Sequence, residues 1–263
     1  MNAPQLGPRT DTDLVRVLAR GLAILRAFTP NNDWKSNREI ATLTALPRPT
    51  VSRLTASLTS LGYLDYSADR SAYRLGTSVL ALGFAALANV DVRIAARPLM
   101  QALANDADVL VTLALRDGMD CIAAEVCHSA RRVISLRLDI GSRLPLARSA
   151  FGHALLGALD PQARAQLLAQ IRASLPAEWP TLEAELATAI AQYEKLGFAV
   201  SLSSLQPGVN GVALALDTPG APYVYLLSCA APADQADRAR IIAELGPRMI
   251  ALKRAIARQM TRS

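Results

Sequence analysis

Two short helical patterns a few residues apart, the second closed by a glycine, constrain this chain more than any other stretch of its sequence. Ser36-Asn37-Arg38-Glu39 has the spacing of a capping box. In that motif the Ser36 hydroxyl accepts from the Glu39 amide, and the Glu39 carboxylate reaches back to the Ser36 amide. It opens a helix carrying Ile40, Ala41 and Leu43, and Thr44-Ala45-Leu46 forms a short turn. Pro47 and Pro49 then fall at a helix start, where a missing N–H donor costs little. The next helix is predicted over Thr50 to Leu61, with Val51, Leu54, Leu58 and Leu61 on its buried face. Gly62 is placed to end it in the left-handed conformation. Two helices so connected form a helix-turn-helix.

The flanks complete a larger module. Leu14, Val17, Leu18, Leu22, Leu25 and Phe28 recur at three- and four-residue steps, which predicts a helix burying one face and stopping at Thr29-Pro30. Asn31-Asn32-Asp33 reads as a turn. After Gly62, Tyr63-Leu64-Asp65-Tyr66 and Ala72-Tyr73-Arg74-Leu75-Gly76 read as strands around the polar turn Ser67-Ala68-Asp69-Arg70-Ser71. The whole, residues 14–76, is predicted to be a winged helix-turn-helix, with residues 1–13 a disordered tail.

Charge is distributed to match. The 263 residues carry 28 Lys+Arg and 22 Asp+Glu, a net charge of +6. Residues 1–76 hold ten of those basic groups and six of the acidic ones, a net +4, so the remainder is nearly neutral at +2. Only Lys35, Lys195 and Lys253 are lysines, and arginine is the better bidentate donor to phosphates and base edges. The second helix of a helix-turn-helix enters a DNA major groove with its N-terminal residues near the bases. Here those residues are Arg48, Pro49, Thr50, Ser52 and Arg53, with no acidic side chain between Pro47 and Asp65. Arg70 near the wing tip suits phosphate or minor-groove contact. Ser36 and Tyr73 complete the candidate DNA-facing set. A winged helix that binds protein instead is the alternative for this module.

The runs Leu22 to Phe28, Glu39-Ile40-Ala41, Leu46 to Leu54, Leu61 to Leu64 and Tyr73 to Gly76 resemble the DNA-binding domain of the IclR family of bacterial transcriptional regulators. The family pattern over the recognition helix has a lysine where this chain has Arg48 and a serine where it has Pro49. Arg48 keeps the charge, whereas Pro49 removes a possible hydroxyl contact. The resemblance continues through Leu144-Pro145-Leu146, Ser149 to Leu156 and Lys195 to Phe198. It implies double-stranded DNA with a pseudo-palindromic operator, a small-molecule effector, and a second copy of the chain (homodimer or dimer of dimers) as partners.

Downstream of Gly76 the patterns change. Thr77 to Asn89 is an apolar helix, expected to link the modules over residues 77–90 and to lean on a second subunit. Ile94 to Asn105 continues as helix. Val109 to Leu115 and Met119 to Val126 flank an Asp117-Gly118 turn, a hairpin signature. Val133 to Leu138 alternates as a half-buried strand. Two helices are expected after Ser149, ending near Gly197, then strands over Phe198 to Leu202, Val212 to Leu216 and Tyr223 to Leu227. A helix over Ala233 to Gln259 closes the chain. The class is α+β, an antiparallel sheet with helices over residues 91–263, similar to the GAF-like effector-binding domain of IclR regulators.

Within that module, Leu144 to Ala150 brings a short side chain to a helix start. The amides of Ala150, Phe151 and Gly152 would converge on one spot, aided by the helix dipole, which suits a carboxylate. Arg148 or Arg143 could add charge. Pro207 to Gly211 reads as a turn leading into a strand, and Ser228-Cys229 as the end of the next. The resemblance implies an effector pocket built from the helix-start amides, Ser201, Gly211 and positions near Ser228 and Cys229, with Asn210 beside them. Relatives often carry an acidic residue or a cysteine at the positions of Ser201 and Gly211. Their absence points to a ligand larger or more apolar than a two-carbon acid, and the effector is expected to be a small organic acid, aromatic or from a catabolic pathway. Ser149 reads equally as a simple helix cap.

Other chemistry finds little support. A Ser149/His153 pairing could suggest an enzyme, but no Gly-x-Ser-x-Gly elbow or orienting acid accompanies it. Cys121, Cys127 and His128 lack a fourth ligand nearby, so the cysteines are expected to be buried free thiols and no metal is expected. No cofactor motif of the Walker or Gly-x-Gly-x-x-Gly type occurs. Arg131-Arg132 reads as a solvated turn. The odd cysteine count, the missing signal peptide and the absence of a membrane-length apolar run point to a cytoplasmic protein without a membrane partner.

Overall fold

Helical periodicity and turn chemistry act locally, and they set the elements of two units, Met1–Asn89 and Val90–Ser263. The computed structural model describes residues 15–29, 34–130, 138–216, 218 and 223–260. The predicted tail, the turn at residues 31–33, the stop at Pro30, the Arg131-Arg132 turn and residues 133–137 of the alternating strand lie outside the described residues.

The first unit opens with α1 (Arg16–Arg26). The capping box forms as the sequence dictates at α2 (Asn37–Thr44): Ser36 Oγ accepts from the Glu39 amide, and the Ser36 amide donates to Glu39 Oε2 at 2.8 Å. Those bonds hold the Glu39 carboxyl below its usual range. Ala45 turns the chain in the left-handed region, and α3 (Arg48–Ser60) follows with Pro47 as its cap. Gly62, at φ 76°, ends it as expected. The wing pairs β1 (Leu64–Ser67) with β2 (Ala72–Leu75) in antiparallel register. Ile24, Phe28, Ile40, Val51 and Leu64 make the core. Thr55 locks α3 to the start of α2, its hydroxyl lying 3.1 Å from Asn37 Oδ1.

One expectation fails in α1. Val17, Leu18 and Leu22 are exposed rather than buried, and only the Ile24/Phe28 side meets the core. A three-helix unit this small has one face of α1 to cover. The apolar helix α4 (Thr77–Ala88) likewise buries no residue, with Leu80 74% and Phe84 69% exposed.

The second unit begins with α5 (Asp91–Ala107). A six-stranded antiparallel sheet follows in the order β5-β4-β3-β8-β7-β6. The hairpin of β3 (Leu110–Asp117) and β4 (Asp120–Cys127) turns at Gly118, where φ is 64°. β5 is Arg143–Pro145. Three helices rather than two then precede Gly197: α6 (Ala150–Ala158), α7 (Pro161–Ser174) and α8 (Trp179–Leu196). Asp160 caps α7 and splits what periodicity alone had merged. β6 (Ala199–Leu202), β7 (Val209–Ala215) and β8 (Tyr225–Pro232) complete the sheet. Thus Val209 to Gly211 already belong to a strand, and Ser228-Cys229 sit inside one rather than at its end. Tyr223 and Val224 precede it. The closing helix starts later than predicted, at the Asp237 cap: α9 (Arg238–Arg240), one π turn (Ile241–Leu245), then α10 (Gly246–Met260).

The sheet has a core on each face. Val111, Leu113, Val212, Leu214 and Leu227 pack against α5 and α10. Ala114, Ala199, Ala213 and Leu226 pack against α6, α7 and α8. In β4, a register shift opposite Leu113/Ala114 leaves Ala124 as an extra residue. The bulge reverses strand parity, so Cys121 lies in the α6-side core and Cys127 in the α5-side core. Both are free and buried, as is Cys229. Burial pushes their thiols up, to about 12 for Cys121 and Cys229 and about 11 for Cys127. At the same bulge Glu125 is fully buried, its carboxylate gripped at 2.6 Å by both Arg93 and Arg97 of α5.

Candidate functional site

Two sites can be built from these residues, one in each unit. In the first, the turn after α2 sets the start of α3 so that Arg48, Pro49, Ser52 and Arg53 are exposed and Thr50 half-buried. No ion pair engages Arg48 or Arg53 among the described residues. Ser36 is committed to the cap, its hydroxyl 2.7 Å from Glu39 Oε2. In the wing, Tyr73 exchanges two backbone hydrogen bonds of 2.8 Å with Lys35, and its ring stacks on Tyr66 at 4.8 Å. Sequence reasoning missed the partner of the wing arginines. Arg70 and Arg74 lie over the Trp34 ring, 5.5 and 5.0 Å from its centroid. Trp34, the lone aromatic between Phe28 and Tyr63, was the available signal.

The second site is a cavity of about 130 Å³ on the α6 side of the sheet. Of the nine residues predicted to hold an effector, Ser149, Ala150, Phe151, Ser201, Asn210, Gly211, Ser228 and Cys229 border it. The first turn of α6 forms one wall because Gly152 can approach Leu146: a Cβ there would stand 1.7 Å from the Leu146 carbonyl oxygen. Ser149 Oγ accepts from the Gly152 amide at 3.3 Å, so the cap and the lining role coexist. The Gly152 donor is thereby used, which removes it from the three amides expected to converge here.

Three further expectations are corrected. Arg148 does not reach the cavity; its exposed side chain pairs with Glu178, which raises its pKa. Arg143 is held by Asp117 and Asp120 instead. Asn210 and Cys229 point to the opposite core, because strand side chains alternate: Asn210 Nδ2 donates to the Ala236 carbonyl at 2.9 Å, and Cys229 packs in the α5-side cluster. The sequence also missed Thr112 of β3. It stands opposite Ser228 of β8, borders the cavity, is 1% exposed, and its hydroxyl has no partner. Leu110, Leu138, Leu144, Leu205 and Val209 supply apolar walls, with Gln206 at the rim. Among the described residues, no acidic or basic side chain borders the cavity, so the polar groups they offer an anion there are hydroxyls and helix-start dipoles.

His153 lies one turn beyond Ser149 but borders a different groove, and its Nδ1 has no partner. Ser149 borders the cavity and His153 the other groove, and no hydrogen bond joins their side chains, so they are not arranged as a nucleophile and base. Among the described residues, no cluster of three His, Cys, Asp or Glu side chains is arranged for a metal, and no single helix is long and apolar enough to cross a membrane.

Known proteins match both units. The model of the IclR helix-turn-helix domain matches residues 17–68, and that of the bacterial transcriptional regulator IclR C-terminal domain matches residues 84–260. The HTH-type transcriptional regulator TsaQ1/TsaQ2 of Comamonas testosteroni is 31% identical over 248 residues, covering 94% of this chain and 89% of the relative. The Pca regulon regulatory protein of Pseudomonas putida is 27% identical over 253 residues, covering 95% and 86%. Among solved structures, an IclR family transcriptional regulator from Brucella abortus superposes with a TM-score of 0.82 at 38% identity, covering 94% of this chain and 93% of that one. An IclR homolog from Microbacterium hydrocarbonoxydans, complexed with 4-hydroxybenzoate, shares the fold with a TM-score of 0.71 at 21% identity, covering 94% and 100%.

Proposed function

The chain belongs to the IclR family of bacterial transcriptional regulators, DNA-binding proteins with an effector-binding C-terminal domain, and from that premise we propose that a small organic acid of the aromatic class controls its binding to a pseudo-palindromic operator. Residues 14–76 bind DNA, residues 77–90 link, and residues 91–263 sense the effector. The protein acts in the cytoplasm as a homodimer or dimer of dimers. Arg48, Pro49, Thr50, Ser52 and Arg53 meet the major groove, Arg70 meets backbone or minor groove, and Ser36 and Tyr73 brace these elements.

The observation that carries the effector reading is the cavity of about 130 Å³ bordered by Ala150 and Phe151 at the start of α6, with apolar sides and hydroxyl-bearing Thr112, Ser201 and Ser228. Its volume is close to that of a buried cavity that accepts one benzene ring, about 150 Å³. A carboxylate on the helix start and a ring among the leucines fits this lining. The structurally similar Microbacterium protein carries 4-hydroxybenzoate, an acid of that class.

Dimerisation is supported by the uncovered apolar faces at Val17, Leu18 and Leu22 of α1 and at Leu80, Leu82 and Phe84 of α4. An effector shifts operator affinity only if it binds two dimer arrangements unequally, and α4 is the lever between them. The test is a mobility shift on DNA upstream of the gene, with and without a panel of monocyclic aromatic acids. An acid that changes the shift and raises the melting temperature supports the reading. Arg53→Ala should weaken specific binding by about 1–3 kcal/mol if it reads a base, and weaken all sequences alike if it touches only phosphate. Intact operator binding in a double Arg48→Ala, Arg53→Ala variant would overturn the recognition-helix assignment.

A further inference from the structure

Two residues singled out by the sequence take no part in the effector cavity. Arg148 and His153 border a separate groove of about 550 Å³ against α8, whose Glu185, Thr188 and Gln192 form the facing wall, with Ser204 at one end. His153 lies at its floor, 8% exposed. Burial holds the imidazole below its ordinary value, so it is neutral at pH 7, with one N–H directed to the Ala147 carbonyl. Its Nδ1 has no hydrogen-bond partner and is closed off from the groove, so the groove's own charged and polar walls must do the binding.

The charges around it are of both signs. Glu185 acts electrostatically on Arg148 and on His153, so its carboxylate lies near both. Arg148 gives one terminal N–H to Glu178 and keeps further donors for another acceptor. A simple anion entering here would be repelled by Glu185, and a simple cation by Arg148. We infer that this groove is a second small-molecule site that takes a zwitterion of the α-amino-acid type. Its carboxylate sits on Arg148, and its ammonium donates to Glu185. Thr188, Gln192 and Ser204 offer hydroxyls and an amide to a short polar side chain. The two sites share walls: α6 supplies His153 here and Ala150 and Phe151 there, while Ser204 is followed directly by Leu205 and Gln206 of the effector cavity.

The test is calorimetric titration of the full-length protein with each free L-α-amino acid, and with L-lactate as the partner of L-alanine that lacks the ammonium group. At least one amino acid should bind once per chain, and lactate should not bind at this site. Arg148→Ala and Glu185→Gln, both at exposed positions, should each weaken that binding roughly tenfold or more, the scale of one lost charge-assisted hydrogen bond. Thermal melts of both variants check that they fold. Failure of every amino acid to bind, binding that survives both substitutions, or binding abolished by Ser228→Val in the effector cavity would each overturn the assignment. None of these outcomes depends on whether an aromatic acid fills the effector cavity.

Discussion

Thr112 carries an unmet hydroxyl at the wall of the effector cavity, and replacing it should move stability and affinity in opposite directions. Its side chain is 1% exposed, and its hydroxyl has no partner. Burying a hydroxyl without a hydrogen bond costs about 1–3 kcal/mol. Valine has nearly the same volume and an equal preference for strands, so Thr112→Val removes that cost with little repacking. The adjoining cavity of about 130 Å³ has room for solvent that would partly pair the hydroxyl. The lower end therefore applies, and the ligand-free variant should gain about 1 kcal/mol. For a unit of this size that is a rise of about 2–4 °C in Tm. An acid that hydrogen-bonds Thr112 should lose about 0.5–1.5 kcal/mol, a roughly two- to twelvefold weaker Kd. Urea and thermal melts with and without the acid, plus a titration, separate the two effects. A variant less stable than the parent would refute the claim that this hydroxyl is unpaired. Unchanged affinity would remove Thr112 from the effector's contacts.

Gly152→Ala should cost about 3 kcal/mol or more in urea unfolding, because the new Cβ meets rigid Leu146 backbone at 1.7 Å. It should also weaken effector binding by moving the Ala150 and Phe151 amides. The double change Arg93→Ala, Arg97→Ala strands the fully buried Glu125 carboxylate and should cost about 3–5 kcal/mol. Adding Glu125→Gln should recover part of that loss, and no recovery would show the arginines act only through packing. The pKa of His153 is lowered in the fold by burial, so acid favours the unfolded chain, which takes up the proton first. Its contribution is complete above the unfolded value near 6.5 and declines as pH falls below it. Urea melts from pH 7.5 to 5 should therefore slope less steeply in His153→Gln than in the parent.

Legibility divides along the range of the forces involved. The capping box at Ser36/Glu39, the left-handed stop at Gly62, the hairpin at Gly118 and the Ser149 cap all depend on partners within a few residues, and all are present. The winged module and the antiparallel sheet follow from such local signals plus periodicity. Most cavity residues were nameable too: Ser149, Ala150 and Phe151 from a local helix start, and Ser201, Gly211 and Ser228 from the family resemblance. Where helix bounds went astray, the overlooked signals were local caps as well. Periodicity could not see the Asp160 cap between α6 and α7 as a break, nor the late start of the closing helix at Asp237.

By itself, then, the chain's order of residues determined which segments are helices, strands and turns, since capping, proline and glycine act through the backbone next to them. Only tertiary packing decided which side chains share a space. Arg148 and Ser149 are neighbours in sequence yet serve different grooves, and Asn210 and Cys229 face away from the cavity that their strands border. The reason is geometric. Direction is set by strand alternation, reset by a bulge at Ala124, and by how closely Gly152 lets a helix approach Leu146, and none of these is encoded within a single local window.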